Sequence, residues 1–351
     1  MAHLTSVKPE RLIWLDDVRG LCMFFVIISH CHTVEVPILR HIYPPVYLCA
    51  FFLVSGYLFR GGEFKDSIRK IFKGLIVPYI LLSLVSTFVS LTFIRSIRSH
   101  TVLPYLHNEG LKLLLGTKFW FIACIIVVQL LYSAIYAVFA KKQTWYKMIT
   151  ATIGLLSIFV IRRVENGSLP WSIDTAVYAL GWFALGHWYK SYPNLKFKKK
   201  HMGKIISALM MILYIVIVLL IDWDSLHIKY DMANNRFDNP MLQLALSLFG
   251  CVSLVLFAQN YCFGKYFTLL GQNTLVAYIF HGSIGFALVG TLFKMCHLNF
   301  LQHYPYIYIF VFAFIVGCVM IGLSLFFNKF FPVFVGKRKI KKEMPRGTIT
   351  K

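Results

Sequence analysis

The chain has 351 residues, 58% of them hydrophobic and 14% charged, with a mean hydropathy of +0.68. An ordinary water-soluble domain cannot bury that much apolar surface, so a soluble globular fold is excluded. The formal net charge of +22 would suit a nucleic-acid partner, but the placement of the cations gives a simpler account.

Crossing a bilayer core about 30 Å thick takes roughly 20 apolar residues, and helices are the spanning structure that non-alternating runs permit. Such runs lie near 12–32, 42–60, 73–94, 119–140, 146–161, 171–189, 205–221, 240–258, 267–292 and 305–327. They predict an all-α polytopic membrane helix bundle of about ten transmembrane helices. Pro44, Pro45, Lys147, Gly271 and Gln272 blur the ends of the second, fifth and ninth runs.

With a cytoplasmic N-terminus, 25 of the 36 Lys and Arg fall in or beside cytoplasmic segments, 10 fall in outer loops, and Arg19 lies inside the first run. This positive-inside bias places both termini in the cytoplasm and accounts for the basicity without nucleic acid. Lys196, Lys198, Lys199 and Lys200, and the run from Lys337 to Lys342, read as topology determinants touching anionic headgroups. A phosphate-bearing cytosolic ligand is the competing role for these runs. Asp16, Asp17 and Arg19 interrupt the first run, which argues against a cleaved signal peptide.

Eight cysteines are scattered singly, with no Cys-x-x-Cys pair and no Cys/His cluster at metal spacing, so they read as small core residues and no metal site is expected. There is no internal repeat. The chain divides into one membrane domain, 1–335, and a basic cytoplasmic tail, 336–351.

Ionisable residues at membrane depth cost several kcal/mol unless they face a polar cavity or one another. Asp16 and Arg19 are three apart and able to pair. Arg19 and His30 are eleven apart, which returns a helix to within about 20° of its starting direction, and a rise of 1.5 Å per residue separates them by about 16 Å. One stripe therefore carries Asp16, Arg19 and His30, with His30 toward the outer side.

Further fragments follow: Phe51-Phe52-Leu53-Val54-Ser55-Gly56-Tyr57, Pro78-Tyr79, Phe119-Trp120-Phe121, and Gly271-Gln272-Asn273-Thr274 leading to Tyr278 and His281. Ser55-Gly56 suits close helix approach, since no Gly-x-Ser-x-Gly elbow supports a nucleophile. Trp120 suits an interfacial anchor. His281 is equally readable as a polar group at an acyl or acceptor site and as a core histidine, with Tyr278 on its face in either case. His187 reads as interfacial. The loop holding Asp222, Asp224, Asp231, Asn234, Asn235, Arg236 and Asp238 is the most polar outer segment, rich in groups that bind sugar hydroxyls.

In this order and at these intervals the fragments resemble the acyltransferase 3 family of integral membrane acyltransferases. The resemblance covers most of the chain, and segment 229–240 resembles the fucose 4-O-acetylase-like branch. An Asp, two residues, Arg-Gly and a His eleven beyond the Arg mark the family's first helix, places filled here by Asp16, Arg19, Gly20 and His30. Tyr278 and His281 fill its Tyr-x-x-His position. The SGNH hydrolase-like domain fused to some members is not seen here. The resemblance implies a multi-pass protein of the cell (plasma or inner) membrane that transfers an acetyl or short acyl group to a sugar hydroxyl of a cell-envelope or lipid-linked glycan. The donor would be acetyl-coenzyme A or another acyl-coenzyme A, a co-substrate and not a permanently bound cofactor.

For such chemistry His30 is the expected general base, because its unperturbed pKa lies near 6.5. Arg19 would meet coenzyme A phosphates or the acyl carbonyl, with Asp16 orienting it. His281, Tyr278, Asn234, Asn235 and Trp120 are the expected substrate-binding residues. The alternative is an exporter of a glycan or acyl group without its own transferase activity, since polar stripes also line pathways; the lack of related halves argues against it.

Overall fold

The structure, a computed structural model, describes residues 11–94, 102–139, 145–161, 169–192, 200–221, 223 and 229–337. Lys8, Lys196, Lys198, Lys199, Asp222, Asp224 and the tail from residue 338 lie outside these residues.

The chain is an all-α membrane bundle. Its principal helices are α1 (Ile13–Ser29), α2 (Tyr47–Tyr57), α3 (Phe64–Thr92), α4 (Val102–Leu114), α5 (Trp120–Phe139), α6 (Trp145–Leu156), α7 (Ile173–Lys190), α8 (Lys200–Leu220), α9 (Pro240–Asn260), α10 (Lys265–Gln272), α11 (Thr274–Met295) and α12 (Pro305–Phe330). The strands β1 (Tyr230–Asp231) and β2 (Arg236–Phe237) form a small antiparallel hairpin. Every predicted run contains a helix, and α3, α5, α8, α9, α11 and α12 are long and apolar enough to cross a membrane.

Three runs differ from expectation. The second, read as 42–60, becomes the 11-residue α2, which at 1.5 Å per residue cannot cross the hydrocarbon core. Pro44 and Pro45 precede it, and α2 is buried along most of its length by other helices. The fifth, read as 146–161, is the 12-residue α6, a turn at Ser157 and the short helix Ile158–Ile161. The ninth, read as one span over 267–292, is broken at Asn273, which is non-helical at φ −125° and ψ 23°.

Neighbouring side chains meet that break. The Asn273 amide donates to the carbonyl of Leu269 at 2.8 Å, its carbonyl oxygen Oδ1 accepts from Asn328 at 2.8 Å, and its backbone oxygen accepts from Ser324 at 3.4 Å. Interrupted membrane helices are tolerated where neighbours satisfy the freed groups in this way.

Glycines set the tightest crossings. A Cβ at Gly20 would run into the backbone oxygen of Phe267, and one at Gly271 into that of Asp16, so α1 and α10 meet backbone to backbone. Gly56 with Gly186 does the same for α2 and α7, and Gly154 with Gly181 for α6 and α7. The reading of Ser55-Gly56 as a close-approach pair holds for Gly56. Small residues substitute for a hydrophobic driving force between membrane helices, because they let backbone dispersion contacts form.

The apolar core has two parts. One surrounds Phe52, Tyr178, Trp182 and Phe183; the other surrounds Ile27, Phe280, Phe293 and Val316. Helix α1 serves both, with Leu15, Val18 and Cys22 in the first and Met23, Phe24 and Ile27 in the second. Leu209, Ile212, Leu213 and Val216 on α8 and Phe310 and Phe314 on α12 are exposed, the apolar outer surface that a lipid environment accepts. Cys22, Cys31, Cys49, Cys124 and Cys251 are buried free thiols, whereas Cys262, Cys296 and Cys318 are exposed.

An ion pair fixes the entry to α5. The Lys118 side chain, 7% exposed, meets Glu109 Oε2 at 2.9 Å and donates to the carbonyl of Ser83 at 3.2 Å and to the Thr87 hydroxyl; Lys112 reaches Glu109 Oε1 at 3.0 Å. Burial raises the Glu109 carboxyl, and the bonds from Lys118 and Lys112 outweigh burial to hold it below the usual carboxylate range. Its contribution to stability is therefore present above the ordinary glutamate range and lost as pH falls through the lowered value. Glu109→Gln should lower the melting temperature of the detergent-purified protein at neutral pH and flatten its loss of stability on acidification; an unchanged melting profile would reject this pairing. Gly20→Ala should cost about 1–3 kcal/mol, because the obstructing atom is backbone and cannot turn aside, a loss measurable by thermal or denaturant unfolding.

Candidate active site

The polar end of α1 is matched by the segment that follows α9. Asp17, 1% exposed, accepts from the Thr268 hydroxyl at 2.6 Å and from the Phe263 backbone amide at 3.2 Å. Asp16 accepts from Gln272 at 3.3 Å and takes Arg11 as its ionic partner at 2.6 Å. Arg19 donates to the Thr274 hydroxyl at 3.0 Å and lies 5.4 Å from the centre of the Phe51 ring.

The expected orientation of Arg19 by Asp16 is thus corrected. The fork of Arg11, five residues earlier and largely exposed, engages both carboxylate oxygens of Asp16. Arg19 instead points toward the start of α11, and its Nε has no partner. A buried donor left unpaired costs about 1–3 kcal/mol, so a ligand that reaches it gains a bond the protein does not supply.

Two cavities lie along α1. The inner one, about 490 Å³, has Arg19, Met23 and Val26 of α1 in its wall, with Phe51, Ser55, Phe121, Thr274 and Tyr278. Arg60 and Lys70 also line it, and no carboxylate does. The outer one, about 180 Å³, is lined by His30, His32, Thr33, Lys294, Asn299, Gln302 and Tyr308, among others. Positions 19, 23, 26 and 30 are spaced four, three and four, so His30 continues the flank that Arg19 begins.

Two histidines meet at the outer cavity: His30 lines it, and His281, which lines neither cavity, packs against His30. The rings of His30 and His281 lie 5.0 Å apart at 87°. His30 Nδ1 is 3.1 Å from the carbonyl of Val26 and 2.9 Å from the Ser29 hydroxyl; His281 Nδ1 is 2.8 Å from the carbonyl of Tyr278 and 3.2 Å from that of Ala277. Carbonyls only accept, so His281 is held as its Nδ1–H tautomer with the lone pair on Nε2, and His30 presents the same lone pair when its Nδ1 donates to Val26. His281 Nε2 is buried without a partner. Val26 and Tyr278, whose carbonyls hold the two rings, both line the inner cavity. His281 also opens the π-helical turn His281–Phe286 inside α11, a distortion frequent at functional sites.

The other expected residues are distributed differently. The Tyr278 hydroxyl accepts from the Phe121 backbone amide at 3.4 Å and lines the inner cavity. Trp120 is half-buried and stacks edge-on with Phe121, and Phe121 is the one that faces the cavity. The Ser55 hydroxyl donates to the carbonyl of Phe51 at 2.8 Å while lining the same cavity. His187 is buried, bonded to the Tyr132 hydroxyl at 2.7 Å and packed on Phe59. Its place near the helix end is the basis of the interfacial reading, and within the protein the side chain is covered.

Asn234 and Asn235 line neither cavity. Asn234 is exposed and donates to Asp231 at 2.7 Å, so it remains reachable from outside. Asn235, at φ +53° and 3% exposed, donates to Asp174 at 2.6 Å and accepts from the Thr175 hydroxyl at 2.9 Å. Both ends of its amide are spent pinning the hairpin to α7. Sequence reasoning missed Arg60, Lys70, Lys294, Asn299 and Gln302; no motif marks them, and only their meeting at cavity walls singles them out. Asn235→Ala should lose about 1–3 kcal/mol of stability by leaving Asp174 with the Leu169 amide alone and the Thr175 hydroxyl without its Asn235 acceptor, while Asn234→Ala should melt within a degree or two of wild type in the same thermal assay.

The comparisons with known proteins place the chain. A family model described as an acyltransferase domain, that of acyltransferase 3, matches residues 12–327. No curated protein and no solved structure matches. A match that begins at the start of α1, takes in both histidines and ends within α12 covers nearly the whole described bundle, and this chain is a membrane protein belonging to the acyltransferase 3 family.

Proposed function

We propose that this protein transfers an acetyl or other short acyl group from acetyl-coenzyme A to a hydroxyl of a sugar in a cell-envelope or lipid-linked glycan, in the cell (plasma or inner) membrane. The observation that carries the reading is the histidine pair: His30 lines the outer cavity, and the carbonyls that hold the two rings belong to Val26 and Tyr278 of the inner one. His30, open to the outer cavity and presenting its Nε2 lone pair when Nδ1 donates to Val26, is the general base.

The sugar oxygen attacks the thioester carbonyl carbon as His30 Nε2 takes its proton. The C–S bond then breaks, the proton held on His30 passes to the departing sulfur, and coenzyme A leaves as its thiol toward the inner cavity with His30 restored as the free base. His281, 5.0 Å from His30, adds a second imidazole at the same point, with its own Nε2 lone pair unpartnered. Tyr278 shapes the wall beside it.

Arg19 stands about 16 Å from His30 along the helix, too far to touch the same carbonyl. Its unpaired Nε, with Arg60 and Lys70 on the inner wall, suits the phosphates or pantetheine arm of the donor. Asp16 acts at one remove, as a positioning residue that holds α1 through Arg11 and Gln272.

The exporter reading has one foothold, the helix broken at Asn273, since broken helices also form transporter sites. Purified protein in liposomes with labelled acetyl-coenzyme A and a sugar acceptor separates the two: label on the sugar supports the transferase, and sugar movement without label supports export. His30→Ala should reduce transfer at least about 10²-fold, the lower range for loss of a general base, with insertion and melting temperature preserved. Full activity in that variant would remove the proposed base.

A further inference from the structure

The outer cavity is small and carries a distinct chemistry. At about 180 Å³ it falls below the roughly 300–1,000 Å³ of pockets for drug-sized ligands, a scale that fits one sugar unit. Asn299 and Gln302 offer amides that both donate and accept, as sugar hydroxyls require. Tyr308, buried against Phe293 and Phe312, closes the cavity's apolar side. Its charge is one-sided: Lys294 lines it, His30 and His32 flank it, and no carboxylate is among its lining residues. By contrast, the polar hairpin consumes its own acids, with Asp231 capping Ala233 and Asn234, and Asp238 bonding the Lys229 amide.

We propose that the outer cavity is the acceptor site and that Lys294 selects a sugar bearing an anionic group, which turns a hydroxyl of that sugar toward His30. This rests on the transferase reading, but it is an assertion about binding and is tested without a donor. A carboxylate of an acidic sugar and a phosphate on a sugar offer Lys294 the same chemistry.

The probes are a neutral methyl glucoside, the corresponding methyl glucuronide and glucose 1-phosphate, each titrated into the detergent-purified chain without acyl donor. One or both anionic probes should bind at least about tenfold more tightly than the neutral one, the scale of a charge-assisted hydrogen bond. Whichever holds the larger advantage identifies carboxylate or phosphate. Lys294→Met should erase the advantage and leave the neutral probe unaffected, Lys294→Arg should retain it, and Gln302→Ala should weaken all three probes. Lys294 is exposed, so these variants should fold, which a melting curve verifies.

Equal affinity for all probes, no binding of any of them, or an advantage that survives Lys294→Met would overturn the assignment. Binding altered by Asn234→Ala but not by Gln302→Ala would move the acceptor to the hairpin and overturn it too. If transfer to neutral sugars proceeds while the charge preference is missing, this inference fails and the transferase stands. If the preference holds while no acyl transfer occurs, the reverse is true.

Discussion

Three ionisable side chains within seventeen residues of α1 are the constraint on which the rest of the bundle depends. In hydrocarbon each costs several kcal/mol, a cost offset only if partners or water reach it. The segment from Phe263 to Thr274 supplies a protein partner to each: Phe263 and Thr268 to Asp17, Gln272 to Asp16, Thr274 to Arg19. Bonds this short need backbones in contact, and Gly20 and Gly271 are what let the two helices approach. The charged motif and the Gly-Gln-Asn-Thr motif are therefore two halves of one interaction, 255 and 256 residues apart in the chain for the bonds to Thr274 and Gln272.

Meeting Arg19 at Thr274 carries a consequence for the helix that contains it. A single span over 267–292 would have to continue through Asn273; instead the chain breaks there, and Asn328, Ser324 and the Asn273 side chain take up the freed groups. The second half starts afresh at Thr274, which fixes the rotation of α11. Tyr278 then faces the inner cavity, and His281 comes up against His30. The bonds at the inner end of α1 and the ring contact at its far end are thus linked through the position of one helix.

The architecture was largely legible because hydrophobic run length is a local property. So was the Arg19 to His30 flank, which depends on helical periodicity alone. What the residues could not disclose were choices among partners. Asp16 was within reach of Arg19 and of Arg11, and sequence spacing does not rank an i+3 neighbour against a residue preceding the helix. Asn235 reads as a solvated loop amide until the hairpin folds onto α7, where burial turns it into a pin between Asp174 and Thr175. His187 lay near a helix end, a position that says nothing about what packs over it. The contact of His30 with His281 is of the same kind: each was visible as a polar residue in an apolar run, but their adjacency is a property of the packing of α1 against α11.

The wall between the cavities bears on the choice between transferring a group and moving a whole glycan. Transport of a glycan needs a passage that opens to the width of a sugar, whereas acyl transfer needs only that an acetyl group and a hydroxyl reach the same imidazole. The two rings are fixed by backbone carbonyls one helical turn earlier, Val26 for His30 and Tyr278 for His281. Opening the wall to sugar width means turning or shifting α1 or α11, and α1 is locked by its own buried charges to the segment that leads into α11. On the proposed reading the bundle holds the partition still and lets the small group cross it: the same bonds that allow Asp17 and Arg19 to be buried keep the reacting groups in register.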